Sequence, residues 1–267
     1  NEILEFVAQC FVGEGDETVF GAQSFIVYKL ATIFMGGVCK SVPMPGMKYD
    51  LDAMRDAVTD KTKVVFMTNP NNPTGCVVKQ SEVENFVRSL PENVIFCYDE
   101  AYTEYQRDPV DLRGLIAEGY NVICLRTFSK IYGLAGLRIG YSYSSEEIAG
   151  YINRVREPFN VNSLAQVAAL AALDDDDFVR LSRDVNDAGR KQFEKAFEEL
   201  GLEYFSDGAN FVMVKVADAP KKFVEMQKRG VIVRPNVGYG LPDWLRITIG
   251  KPEQNERCIE ELSKLVK

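Results

Sequence analysis

Val122-Ile-Cys-Leu-Arg-Thr-Phe-Ser-Lys130, running on into Ile131-Tyr-Gly-Leu-Ala-Gly-Leu-Arg138, is the stretch on which the fold turns. Its first half is a short apolar run of the kind that forms a strand buried in a parallel sheet. Its second half becomes polar at once, with Thr127, Ser129 and Lys130 close together. A small-residue segment (Gly133, Ala135, Gly136) and Arg138 follow. A lone lysine on a loop is ordinarily a solvated cation. A lysine beside two hydroxyls, where a buried strand leaves its sheet, has a second reading as a functional amine.

Two stretches upstream repeat the layout. Val64-Val-Phe-Met67 leads into Thr68-Asn-Pro-Asn-Asn-Pro-Thr-Gly75, and Val94-Ile-Phe-Cys97 leads into Tyr98-Asp-Glu-Ala-Tyr102. Helical patterns fill the gaps, so the three read as successive strands of a mostly parallel α/β sheet flanked by helices. Ligands of such sheets sit outside the carboxyl ends of the strands. Asn72, Asp99, Tyr102, Lys130 and Arg138 would line that edge. The set suits pyridoxal phosphate, which needs a lysine amine for its Schiff base and a carboxylate to keep its ring nitrogen protonated. An amide and a phenol can steady the ring oxygen, and hydroxyls with an arginine can hold the phosphate.

Composition narrows the remaining classes. The chain has 267 residues, 46% of them hydrophobic, enough for one or two substantial cores. Its 31 basic and 39 acidic residues give a net charge of −8, which argues against nucleic acid as the main partner. The absence of histidine removes Ser-His and Cys-His nucleophiles and histidine metal sites. Acid–base work near neutral pH then falls to lysine, tyrosine, a carboxylate or a cofactor. The six cysteines form no C-x-x-C pair, and they read as small core residues in a reducing, cytoplasmic setting. No apolar run is long enough to span a membrane, and no signal peptide is visible. The absence of a G-x-G-x-x-G turn after any predicted strand counts against a dinucleotide site. The acidic run Asp174-Asp-Asp-Asp177 reads as a helix start rather than a metal site.

Along the rest of the chain, helical spacing covers 1–12, 24–34, 52–58 behind Asp50, 81–90, 146–156, 163–173 and 178–200. Ser81 and Glu84 have the spacing of a capping box. The 163–173 helix is alanine-rich and apolar nearly all round, which predicts burial. Phe25 is either plain core or a wall against a flat ring. Beyond Gly201, strands near 202–205, 211–216, 231–234 and 245–249 alternate with helices at 220–229 and 252–267. They form a smaller C-terminal α+β domain, with the division expected between 1–175 and 176–267. Arg234 and Arg246 lie in otherwise apolar strands. They face water on a half-exposed sheet, or they point into the cleft between domains as an anion clamp.

Asn69-Pro-Asn-Asn-Pro-Thr-Gly75, Tyr98-Asp-Glu-Ala-Tyr102, Ser129-Lys130, Gly136-Leu-Arg138 and Leu245-Arg-Ile-Thr-Ile-Gly250 occur in that order. Together they resemble the class I/II aminotransferases of fold type I, most of all the histidinol-phosphate aminotransferases, and the resemblance runs the length of the chain. It implies a catalytic set of Lys130 as the Schiff-base lysine, Asp99 at the pyridine nitrogen and Tyr102 at the ring hydroxyl. It places Asn72 on the same hydroxyl, Thr127, Ser129 and Arg138 at the phosphate, and Phe25 over the ring where the family commonly has a tyrosine. Arg246 matches the arginine for the substrate's anionic group, and Arg234 a second one in the histidinol-phosphate branch. The family has an N-terminal arm, a partner-subunit tyrosine and a glycine-containing turn ahead of the position of Asn1. Asn1 itself falls where the phosphate-binding turn ends. The implied partners are an amino donor, a 2-oxo acid such as 2-oxoglutarate, and a second copy in a homodimer. Alternatives of the same fold type are an aromatic amino acid aminotransferase and a threonine-phosphate decarboxylase. A truncated, non-catalytic domain is the alternative of another class.

Overall fold

A computed structural model describes residues 1–266; the expected helix end at Lys267 lies outside the described residues. The chain opens with α1 (Glu2–Phe11), β1 (Glu17–Gly21), α2 (Ile26–Phe34), β2 (Val38–Val42) and α3 (Leu51–Asp56). It continues through β3 (Thr62–Thr68), α4 (Gln80–Ser89), β4 (Ile95–Asp99), α5 (Arg113–Ala117), β5 (Val122–Thr127), β6 (Gly140–Ser144), α6 (Glu146–Val155) and α7 (Ser163–Leu173). The last part comprises α8 (Asp176–Glu199), β7 (Tyr204–Phe205), β8 (Phe211–Lys215), α9 (Ala219–Lys228), β9 (Arg234–Asn236), β10 (Leu241–Thr248) and α10 (Pro252–Val266).

The first six strands form one sheet in the order β2-β1-β3-β4-β5-β6, parallel except for β6. In the inner strands β3, β4 and β5 alternate side chains bury on opposite faces, which is why these three read as apolar runs. Val64, Phe66, Ile95, Cys97 and Ile123 pack with α1, α2 and α6. Val65, Met67, Phe96, Tyr98 and Cys124 pack with α3, α4 and α5. The register pairs Thr68 with Asp99 and Asp99 with Leu125, so three consecutive parallel strands end level. Their following loops therefore emerge along one edge.

The remaining strands make an antiparallel sheet, β7-β8-β10-β9. It is backed by α8, α9 and α10 through Phe193, Phe197, Met226 and Leu262. A fourth cluster, Tyr102, Tyr105, Ile131, Ala209 and Phe211, joins the two sheets. We propose the division at 175/176; it gives the small domain the whole of α8, although Arg183 of that helix donates to the carbonyl of Glu104 at 2.8 Å.

Helix starts follow short polar side chains. Asp50 accepts from Ala53 N at 2.9 Å, Asn162 from Ala165 N at 2.8 Å, and Asp175 from Phe178 N at 3.0 Å. The acidic run is thus the cap and first turn of α8, and the described residues hold no metal-ligand cluster. All six cysteines are free thiols.

Three expectations need correction. The capping acid of α4 is Glu82, accepting from Lys79 N at 3.0 Å, because the N-cap is Lys79, two residues before Ser81. The third strand of the small sheet starts at Arg234 rather than ending there. The α7 helix is not buried: only Ala165 and Ala169 pack inward, while Leu164, Val167 and Leu170 stand largely in solvent. Its small side chains face the protein and its large ones face out, so the all-round apolar pattern concealed two unlike faces.

Candidate active site

The Thr68–Gly75 turn shows what each of its polar residues does. Asn69 clamps its base, donating to Val78 O at 2.8 Å and accepting from Val78 N at 2.9 Å. Asn71 donates to Gln23 O at 2.7 Å and to Thr74 Oγ1 at 2.8 Å. Gly75 has φ +81°, a left-handed conformation that favours glycine. Asn72 is spared this internal work. Its Oδ1 accepts from Arg246 Nη1 across the gap to the small sheet, which leaves its amide nitrogen for the cavity.

One cavity of about 1330 Å³ lies along the common strand edge. Asn1, Phe25, Asn72, Asp99, Tyr102, Thr127, Ser129, Lys130 and Arg138 all line it. Nine residues named from the sequence, drawn from six separate segments, therefore meet in one hollow. Arg246 and Arg234 do not line it. They pair in register on β10 and β9 and line a second groove of about 580 Å³ with Phe223, Val233 and Val237. Arg246 still reaches the first site through Asn72, and its guanidinium lies 5.0 Å from the centre of the Phe211 ring. Arg234 is exposed.

Asp99 ends β4 with both carboxylate oxygens engaged, Oδ2 by the Tyr28 hydroxyl at 3.1 Å and Oδ1 by Ala101 N at 3.0 Å. Burial pushes its pKa up, and the Tyr28 and Ala101 hydrogen bonds pull the other way. Lys130 is shifted down, first by burial and then by the positive charge of Arg246, with Asp99 opposing. A lysine so placed gives up its proton more readily than a surface lysine. Its Nζ sits 5.3 Å from the centre of the Tyr102 ring, which meets Phe211 edge-on at 5.4 Å. The Tyr102 phenol is pushed up by burial and stays a donor at neutral pH. Ser129 N donates to Thr127 Oγ1 at 3.1 Å, shaping the turn that carries Lys130. Arg138 has φ +55° and donates to Ala135 O at 2.7 Å.

Arg126 also lines the cavity, and the group it anchors behind the wall is one the sequence did not single out. Arg126 Nε donates to Glu100 Oε2 at 2.6 Å, and its Nη1 lies 3.3 Å from Glu104 Oε1. Tyr143 donates to Glu100 from β6 at 2.9 Å. The network ties the ends of β4, β5 and β6 together beside Asp99 and Thr127. The signal available was an arginine in an apolar strand and a second acid next to Asp99. Tyr28 was also missed; in the sequence it is one more aromatic on an apolar helix.

The sequence pattern of aminotransferase class I and II matches residues 1–262. The chain belongs to the class I and II aminotransferases. Among curated relatives of this aminotransferase, the histidinol-phosphate aminotransferase of Akkermansia muciniphila is 43% identical over 267 residues, which is 100% of this chain and 74% of the relative. Histidinol-phosphate aminotransferase 2 of Hydrogenovibrio crunogenus is 46% identical over 270 residues, 100% of this chain and 72% of the relative. Among solved structures, the histidinol-phosphate aminotransferase of Sinorhizobium meliloti in complex with pyridoxal-5'-phosphate superposes with a TM-score of 0.90 at 27% identity, over 99% of this chain and 74% of that one. A putative histidinol-phosphate aminotransferase from Erwinia carotovora atroseptica gives 0.93 at 27%, over 99% and 78%. The mostly parallel α/β sheet with its helical layers is therefore the fold type I aminotransferase architecture. No helix among the described residues is long and apolar enough to cross a membrane.

Proposed function

We propose that this aminotransferase holds pyridoxal phosphate in the cavity at the strand ends and transfers the amino group of histidinol phosphate to a 2-oxo acid. The observation that carries the reading is the meeting of Lys130, Asp99 and Asn72 from three separate segments in one cavity. The donor set fits the cofactor. There is one amine, one acid with lone pairs to spare, a free amide nitrogen, a protonated phenol, and two hydroxyls beside an arginine for the phosphate. Bound there, pyridoxal phosphate supplies an electron sink for the substrate's Cα.

The chain's own residues do the rest. Lys130 Nζ, made a weaker base by burial and by Arg246, takes the proton from the substrate's Cα. Asp99 keeps a negative charge at the back of the site, Phe25 forms a wall, and Asn72 with Tyr102 directs hydrogen bonds to a ring oxygen. Arg246 Nε is buried without a partner, so the arginine still has a donor to give to an anion. Its register neighbour Arg234 adds a second positive charge. Two arginines suit a phosphate dianion better than a single carboxylate.

The assembly is a homodimer in this reading. Leu164, Val167 and Leu170 of α7, with Leu30, Ile33 and Phe34 of α2, are large apolar side chains left in solvent by the single chain. Sedimentation of the purified protein tests it, with twice the chain mass expected. The substrate is tested by turnover with L-histidinol phosphate and 2-oxoglutarate beside aromatic amino acids. A preference of about 100-fold for the phosphate ester in kcat/KM is expected from loss of the arginine contacts. Equal rates would redirect the assignment to an aromatic aminotransferase, and release of carbon dioxide from threonine phosphate to a decarboxylase.

A further inference from the structure

The protein gives each oxygen of the Asp99 carboxylate one proton donor. Ala101 N–H donates to Oδ1 at 3.0 Å, a backbone contact that does not depend on the side chain at 101. The Tyr28 hydroxyl donates to Oδ2 at 3.1 Å from α2, 71 residues earlier in the chain. Among the described residues it is the one side-chain donor to this carboxylate. Tyr28 is fully buried and held firmly. Its ring stacks on Phe66 at 5.0 Å with 4° between planes, and meets Phe25 edge-on at 5.9 Å and 86°. Thr32 Oγ1 donates to its carbonyl at 2.7 Å.

We propose that Tyr28 is the positioning residue of Asp99, its hydroxyl holding the carboxylate charged and fixed in orientation while its ring buttresses Phe25. This rests on the cofactor reading above and names the side chain that makes Asp99 effective in it. A carboxylate taken out of water tends to pick up a proton, and a neutral Asp99 offers no charge to a positive ring nitrogen. Burial acts on Asp99 in that direction. The strongest influence against it is the Tyr28 hydrogen bond, followed by Ala101 N–H, with the charge of Lys130 acting in the same direction. Burial and the nearby Asp99 keep the Tyr28 phenol protonated, so it remains a donor. Tyr49 and Cys97, which also sense Asp99, are kept neutral by burial. With one donor on each oxygen, the carboxylate cannot turn without breaking both hydrogen bonds.

A double-mutant cycle tests this, read as the affinity of the apo-protein for pyridoxal phosphate by equilibrium dialysis. Tyr28→Phe keeps the ring in its slot and is expected to weaken binding about tenfold, the scale of one hydrogen bond to a charged group. In an Asp99→Asn background the same change is expected to alter affinity by less than about twofold, because an amide needs no donor to hold a charge. An equal loss in both backgrounds, or no loss in the native one, overturns the proposal. If the unaltered protein fails to bind the cofactor, the cofactor reading falls and takes this inference with it. Thermal melting of the apo-protein verifies that Tyr28→Phe folds. A second readout does not depend on that variant: the Tyr28 hydroxyl proton of the unaltered protein should give a slowly exchanging proton resonance that moves in Asp99→Asn. A hydroxyl proton in fast exchange with water would contradict the assignment.

Discussion

The six-stranded and four-stranded sheets both present charged side chains toward the site, but only the first does so by a rule that can be read along the chain. In the parallel sheet β3, β4 and β5 end level, so Asn72, Asp99 and Lys130 reach the same edge whatever their separation in sequence. In the antiparallel sheet successive strands run in opposite directions, and which side an arginine faces depends on register. Arg246 and Arg234 are direct neighbours, yet Arg246 is partly buried against Asn72 and Phe211 while Arg234 is exposed beside a second groove. Parallel topology converts a position at a strand end into a place in the site; antiparallel topology does not.

That contrast can be broken by substitution. The largest effect is expected from Lys130→Ala, a loss of about 10⁴-fold in kcat, since among the described residues no other lysine lines the cavity. Asp99→Ala comes next, at about 10³-fold, through loss of the fixed negative charge. A steady-state amino-transfer assay checks both. Across the gap, Arg246→Ala is expected to lower kcat/KM about 100-fold, because it also leaves Asn72 without its partner. Arg234→Ala, at an exposed position, should cost about tenfold or less, mostly in KM. Equal losses at the two arginines would show that the second groove contributes as directly as the first cavity and would remove the distinction between the sheets.

A smaller effect concerns stability. Burial, which outweighs the nearby Arg126, pushes Glu104 up to about 7. Its pKa is thus higher in the folded state than the ordinary 4.5. The native state binds the extra proton, and this contribution is complete below about pH 4.5 and disappears as pH rises through 7. Urea unfolding of the apo-protein should show about 2 kcal/mol less stability from this group at pH 8 than at pH 5. Glu104→Gln should remove that part of the decline. An unchanged pH dependence in the variant would place the decline elsewhere.

Much of the fold was legible because strands buried on both faces are continuous apolar runs and the turns between them are marked by proline, glycine and asparagine. That candidate residues at the strand ends would share one edge followed from that, and they line one cavity. What could not be read depends on partners far along the chain. Tyr28 is indistinguishable from core until α2 is placed over Asp99, and Arg126 is unexplained until Glu100, Glu104 and Tyr143 converge on it. The α7 helix misled for a different reason. Periodicity reports that a helix has apolar faces, but not whether those faces meet the same chain. Glu82 took the capping place foreseen for Glu84 because a helix boundary can shift by two residues without disturbing the apolar pattern.

In the proposed site an amine, an acid and an amide from three strand ends serve a single ring. Incubation with pyridoxal phosphate, reduction with borohydride and peptide mass mapping test it most directly. One pyridoxyl adduct is expected, on Lys130, reduced in yield by Asp99→Ala. An adduct spread over surface lysines, or fixed on any lysine other than Lys130, would contradict it.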